Sequence, residues 1–154
     1  MLERLTIASA LLVLVVLTAW IVRQRVRQGI ARVSGQPLPA ALREQLGTVG
    51  PAIVYFFGPA CRSCRQQSAA LESLVKSMAI PVVRIDASKQ PALADALSIA
   101  TVPATVIVDQ ALNVRAVNVG FRSRDVLAYQ VRESSVHGAL SESPSMAQNI
   151  HRPT

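Results

Sequence analysis

No charged residue occurs between Leu5 and Val22, a run of Leu, Ile, Val and Ala broken only by Thr6, Ser9, Thr18 and Trp20. At about 1.5 Å per residue a helix over this stretch is about 27 Å long, close to the thickness of a bilayer core. The chain after it alternates short apolar runs with amphipathic segments. Pro39 is suited to open a short helix, Ala40 to Leu46, which Gly47 ends. Ala52 to Phe57 is apolar throughout, as in a strand covered on both faces. Cys61 to Met78 reads as a helix with Leu71, Leu74, Val75 and Met78 on one face; Glu72 and Lys76 form an i,i+4 pair on the other. Ile80 to Asp86 is a second strand, and Gln90 to Ile99 a short helix with Leu93, Ala96 and Leu97 inward. Thr105 to Asp109 is a third strand, Gln110 to Asn113 a turn, and Val114 to Val119 the returning strand before Gly120. Ser123 to Glu133 is a last helix, with Ser123 as its cap and Asp125 in its first turn. The order β-α-β-α-β-β-α predicts an α/β domain with a mixed sheet between helices.

This pattern divides the chain into a short flank (1–4), a transmembrane anchor (5–22), a basic juxtamembrane linker (23–38), a folded domain (39–133) and a tail (134–154). The tail is rich in Ser, Pro and Asn and is expected to be disordered. Two other readings of the apolar run are weaker. A cleaved signal peptide lacks its small-residue cleavage site, and a buried soluble helix does not need this length. Trp20 lies where an interfacial aromatic belongs. Charge adds an orientation. The net charge is +7, and much of the excess lies just after the apolar run, at Arg23, Arg25, Arg27 and Arg32, against Arg4 on the other side. The positive-inside rule then places a single-pass chain with its folded domain in the cytoplasm, with the extracytoplasmic side as the alternative. The folded part is only mildly basic, which argues against a nucleic-acid partner. Two cysteines in the whole chain exclude a disulfide-stapled scaffold.

Those two cysteines carry the chemistry. Cys61-Arg62-Ser63-Cys64 follows the first strand through Gly58-Pro59-Ala60 and opens the long helix. A helix N-terminus offers free N–H groups and roughly half a positive charge, so a thiolate there falls below its ordinary pKa of about 8.5. Arg62 and Arg65 push the same way, with Arg62 as the thiolate-tuning residue between the cysteines. Cys61 is the natural nucleophile and Cys64, one turn on, the resolving thiol of a thiol–disulfide exchange. Two plainer readings stand beside it. One is a pair of inert buried thiols. The other is a zinc site, which needs two more ligands and has only His137 and His151 to draw on, both in the tail.

Further residues sharpen this. Cys61-Arg62-Ser63-Cys64 after the first core strand, Val102-Pro103-Ala104 before the third, Ile85-Asp86 at a strand end and Val119-Gly120 after the hairpin together resemble the thioredoxin family over about Pro39 to Glu133. Among relatives the chain looks most like membrane-anchored thioredoxin-like proteins of bacteria. The resemblance implies a thioredoxin-like fold, a cis bond at Val102–Pro103, and substrate positioning by Val102 and Pro103. It implies exchange with protein disulfide substrates, an upstream dithiol protein as electron donor, and no bound cofactor or metal. The sequence departs from the family at Ala60, where a Trp is usual, at Arg62-Ser63 in place of Gly-Pro, at Ala69 in place of a kinking Pro, and at Tyr55 in place of a buried acid. The last removes the familiar proton acceptor for Cys64. A rival reading from another class is a non-catalytic docking module for a membrane partner.

Overall fold

The computed structural model describes residues 2–47 and 50–141, with side-chain surroundings left undescribed for several residues of the first and last helices. Its helices are α1 (Leu2–Val33), α2 (Ala40–Leu46), α3 (Arg62–Met78), α4 (Pro91–Ala96) and α5 (Arg124–Ser141). Its strands are β1 (Ala52–Phe57), β2 (Val82–Asp86), β3 (Ala104–Val108) and β4 (Val114–Val119). The strands form one mixed sheet in the order β2-β1-β3-β4. β1 runs parallel to β2 and antiparallel to β3, and β3 and β4 form a hairpin.

Strand β1 is central, and its period of two feeds both cores. Ala52, Val54 and Phe56 face one side, with Leu38, Leu42, Leu46, Ala94 and Leu97. Ile53 and Tyr55 face the other, with Leu71 and Leu74 of α3 and Leu127 and Val131 of α5. This is why β1 reads as apolar without alternation: both faces are covered.

The element order agrees with the sequence pattern, and the differences have local causes. The stretch 23–33, expected as part of a linker, is helical and continuous with the apolar run. Its Arg and Gln residues are good helix formers, and nothing there breaks the turn. The segment that follows is held against the domain. Val33 and Leu38 are buried in the core, the Gly35 N–H donates to Val114 O, and the Val114 N–H donates to Gln36 O. Strand β2 begins at Val82, just after Pro81, whose carbonyl accepts the Ile53 N–H but which has no N–H of its own to give to the ladder. Helix α4 stops at Ala96, with Ser98 in the left-handed region, and Ala96 is exposed where an inward position was expected. Glu72 pairs across the surface with Arg84 at 3.2 Å, where an intrahelical partner, Lys76, was expected. Helix α5 runs on to Ser141, past the expected end at Glu133, and Ser134 is buried. The expected disorder from 142 onward lies outside the described residues.

The described apolar side chains of α1 from Leu11 to Val22 are exposed on all sides of the helix. Among the described residues no helix is long and apolar enough to cross a membrane, so the structure does not show the transmembrane anchor expected over 5–22.

Candidate functional site

The site forms where β1 ends and α3 begins. Gly58-Pro59-Ala60 leaves the sheet edge, and Cys61 caps α3 in an extended conformation. Its Sγ accepts the Cys64 N–H at 3.1 Å, and the Ser63 Oγ lies 3.6 Å away. A sulfur at this place takes over a capping role that Ser or Asp usually fills. The same N–H that meets sulfur here would stabilise a Cys61 thiolate. Cys61 and Cys64 are joined by a disulfide with Cα atoms 5.2 Å apart. Exposure is asymmetric: Cys64 is 6% exposed, whereas Cys61 is partly exposed and Arg62 lies at the surface. An incoming partner therefore meets Cys61 first.

Two grooves flank the disulfide. One, of about 720 Å³, runs past Cys61, Ser63, Gln66, Ser88 and Val102. The other, of about 770 Å³, passes Cys64, Arg65, Ser68 and Glu72. The first groove unites the sequence-predicted residues. Cys61, Arg62 and Val102 all line it, and the Val102–Pro103 bond next to it is cis. The approach is tight: a Cβ on Gly58 would lie 3.2 Å from Val102 Cγ2. At the groove's end the Asp86 carboxyl accepts the Ser88 hydroxyl at 2.6 Å and the Ser88 N–H at 3.0 Å. The hydroxyl bond is the main reason its pKa lies below the ordinary carboxylate range.

Behind the cysteines, Tyr55 stands where the resemblance leads one to expect an acid. It is buried, and its hydroxyl donates to the Cys64 carbonyl at 2.8 Å while lying 3.5 Å from Ser68 Oγ. It thus holds the backbone of the first turn of α3. Arg84 lies over its ring, 6.0 Å from the centroid.

One residue of the site escaped the sequence reading. Gln67 is fully buried and grips the backbone of Arg122 from both sides, with Arg122 N–H donating to Oε1 at 2.8 Å and Nε2 donating to Arg122 O at 3.2 Å. Its signal was there: Cys64, Gln67, Leu71 and Leu74 share one helical face, so Gln67 is a polar residue in a core register. Among the described residues no group of three or more His, Cys, Asp or Glu could hold a metal ion. The zinc reading rests on His137 and His151, whose side chains lie outside the described residues.

Comparison with known proteins gives a fold and a family. No curated protein matches the chain. Among solved structures it is similar to a mutant thioredoxin from Halobacterium salinarum, 21% identical over 66% of this chain and 93% of that one, with a TM-score of 0.56. It is also similar to Fasciola hepatica thioredoxin, 18% identical over 65% of this chain and 99% of that one, with a TM-score of 0.55. A third is chloroplastic thioredoxin z, 22% identical over 66% and 94%, with a TM-score of 0.54. These likenesses establish the thioredoxin-like fold. The model of the TraF family, described as F plasmid transfer operon protein, matches residues 30–132, and with that match over most of its length the chain belongs to the TraF family.

Proposed function

We propose that the protein is a membrane-tethered thiol–disulfide oxidoreductase that exchanges the Cys61–Cys64 dithiol or disulfide with protein substrates. The observation that carries the reading is the pairing of a partly exposed cysteine at a helix N-terminus with a buried partner at disulfide distance, beside a groove lined by Val102. In the reducing direction the Cys61 thiolate attacks a substrate disulfide. One substrate sulfur leaves as a thiolate and takes a proton. The Cys64 thiol gives up its proton and attacks the mixed disulfide at Cys61. That releases the second substrate thiol and leaves Cys61–Cys64 oxidised. A second dithiol protein reduces the pair again, with no bound cofactor. Arg62 favours the thiolate, and Val102 with Pro103 positions the substrate chain.

The tether is α1. A lipid environment is the natural surrounding for a helix whose apolar side chains point in every direction, and the stretch from Leu5 to Val22 carries no charge. Arg23, Arg25 and Arg32 then lie at the headgroups and favour a cytoplasmic domain, where the pair would be kept reduced and act as a reductase.

Trapping tests the exchange. A Cys64→Ala variant should accumulate mixed disulfides at Cys61 that reductant releases. A variant with a free, alkylatable Cys61 and no adducts overturns the oxidoreductase reading and leaves a docking module in its place.

A further inference from the structure

The cleft beside Cys61 is lined by the start of α3 and the loop before it, by Ala87 and Ser88 after β2, and by Val102 on the segment that enters β3. Two of these walls matter here: α3, which carries the cysteines, and the Val102–Pro103 segment. A line of hydrogen bonds joins them behind the cleft. Gln67, one turn beyond Cys64, holds both the N–H and the carbonyl of Arg122. Two residues before Arg122, the Gly120 N–H donates to Pro103 O at 2.8 Å. Gly120 has a φ of 84°, a turn that places this backbone where it can meet both partners. Between them Phe121 stays 44% exposed.

A fully buried amide side chain whose two hydrogen bonds both go to one backbone residue, 55 positions away in sequence, is a specific device. An apolar residue would fill the same space in the core register without linking the walls. We infer that Gln67 is a positioning residue that fixes the spacing between the Cys61–Cys64 pair and the Val102–Pro103 backbone, and so governs how protein disulfides bind. This rests on the oxidoreductase reading above. A protein disulfide brings flanking backbone that must lie between both walls. A small aromatic disulfide needs only the exposed sulfur of Cys61.

The test uses the full chain in mild detergent, with dithiothreitol as the electron donor that re-reduces Cys61–Cys64. Gln67→Leu should raise KM for insulin disulfides about tenfold with a smaller change in kcat, while the single-turnover rate with 5,5′-dithiobis(2-nitrobenzoate) stays within about twofold. Leu38→Ala, a core truncation distant from the cleft, controls for lost stability, and it should lower the melting temperature and leave the insulin KM unchanged. Gln67→Glu supplies a second readout that does not depend on the fold tolerating leucine. Its neutral carboxylic acid can both donate to Arg122 O and accept from Arg122 N–H, whereas its carboxylate can only accept. The KM penalty relative to wild type should therefore shrink as pH falls and the buried acid takes up its proton. An unchanged insulin KM in Gln67→Leu, or an equal rise in Leu38→Ala, overturns the inference while wild-type activity keeps the oxidoreductase reading standing. Absence of insulin reduction by wild type overturns that reading and the inference with it.

Discussion

The chemistry of the site is set by single residues placed where backbone ends are unpaired. Cys61 stands at the start of α3 and its sulfur meets the Cys64 N–H. Ser88 does similar work for Asp86 at the end of the groove, and this can be checked directly. Its hydroxyl bond is the leading cause of the depressed Asp86 pKa; desolvation opposes it, and the Ser88 N–H, the Lys89 charge and the Lys89 N–H add to the lowering. Because the folded value lies below the unfolded one, the stabilisation is present above the ordinary carboxylate range and fades as pH falls through the depressed value. Ser88→Ala should move the Asp86 titration upward toward the ordinary range, followed by carboxyl-carbon NMR. An unmoved titration would mean that the hydroxyl is not the cause. Residue-level legibility was uneven for a physical reason. Cys61, Cys64 and Pro103 are visible in sequence because their chemistry depends on their own side chains. Gln67 acts on the backbone of Arg122, and a backbone partner leaves no mark in the sequence of the residue it belongs to.

At the scale of elements, the order of strands and helices could be read from the apolar pattern, because β1 and β3 are buried on both faces and α3 buries Leu71 and Leu74 on one stripe, although Val75, expected on the same face, is 38% exposed. The joins were less legible. A run of Arg and Gln after an apolar helix looks like a linker, yet the helix continues through it, and the segment beyond carries core residues. Val33 is 8% exposed and Leu38 only 1%. Pro37 also bridges to Asn113 at the β3–β4 turn. The buried Asp109 sits at that turn, accepting the Ala111 and Asn113 N–H groups and paired with Arg115 at 2.7 Å. The domain therefore needs the end of α1. A chain cut to begin at residue 39 should be less stable than one beginning at residue 30 by about 3 kcal/mol or more. That is the order expected from losing two buried aliphatic side chains. Urea titration of both pieces measures it, and equal midpoints and slopes would show that the 30–38 segment is dispensable to the core.

At the scale of the whole molecule, the first helix is built into the folded domain rather than hung from it. One helix runs without interruption from Leu2 to Val33, and its last residue is buried in the core on one face of β1, while the cysteines pack with the core on the other. Gly29 permits the docking: a Cβ there would lie 3.0 Å from the side chain of Ser98, just past α4. A domain joined to its N-terminal helix this way has little freedom to swing relative to that helix, unlike one on a Gly- and Ser-rich linker. The anchoring proposal has two separable outcomes. Washing membranes with alkaline carbonate should leave the full chain in the pellet and release a chain cut to begin at residue 30. Recovery of the full chain in the supernatant would rule out a spanning α1. The side is then decided by a membrane-impermeant maleimide applied to intact cells expressing Cys64→Ala, where Cys61 is the sole thiol. The arginines after the apolar run predict labelling only after the cells are opened. Labelling of unbroken cells would reverse the assignment and set the pair to work in an oxidising space, where its direction depends on a donor able to pass electrons across the membrane.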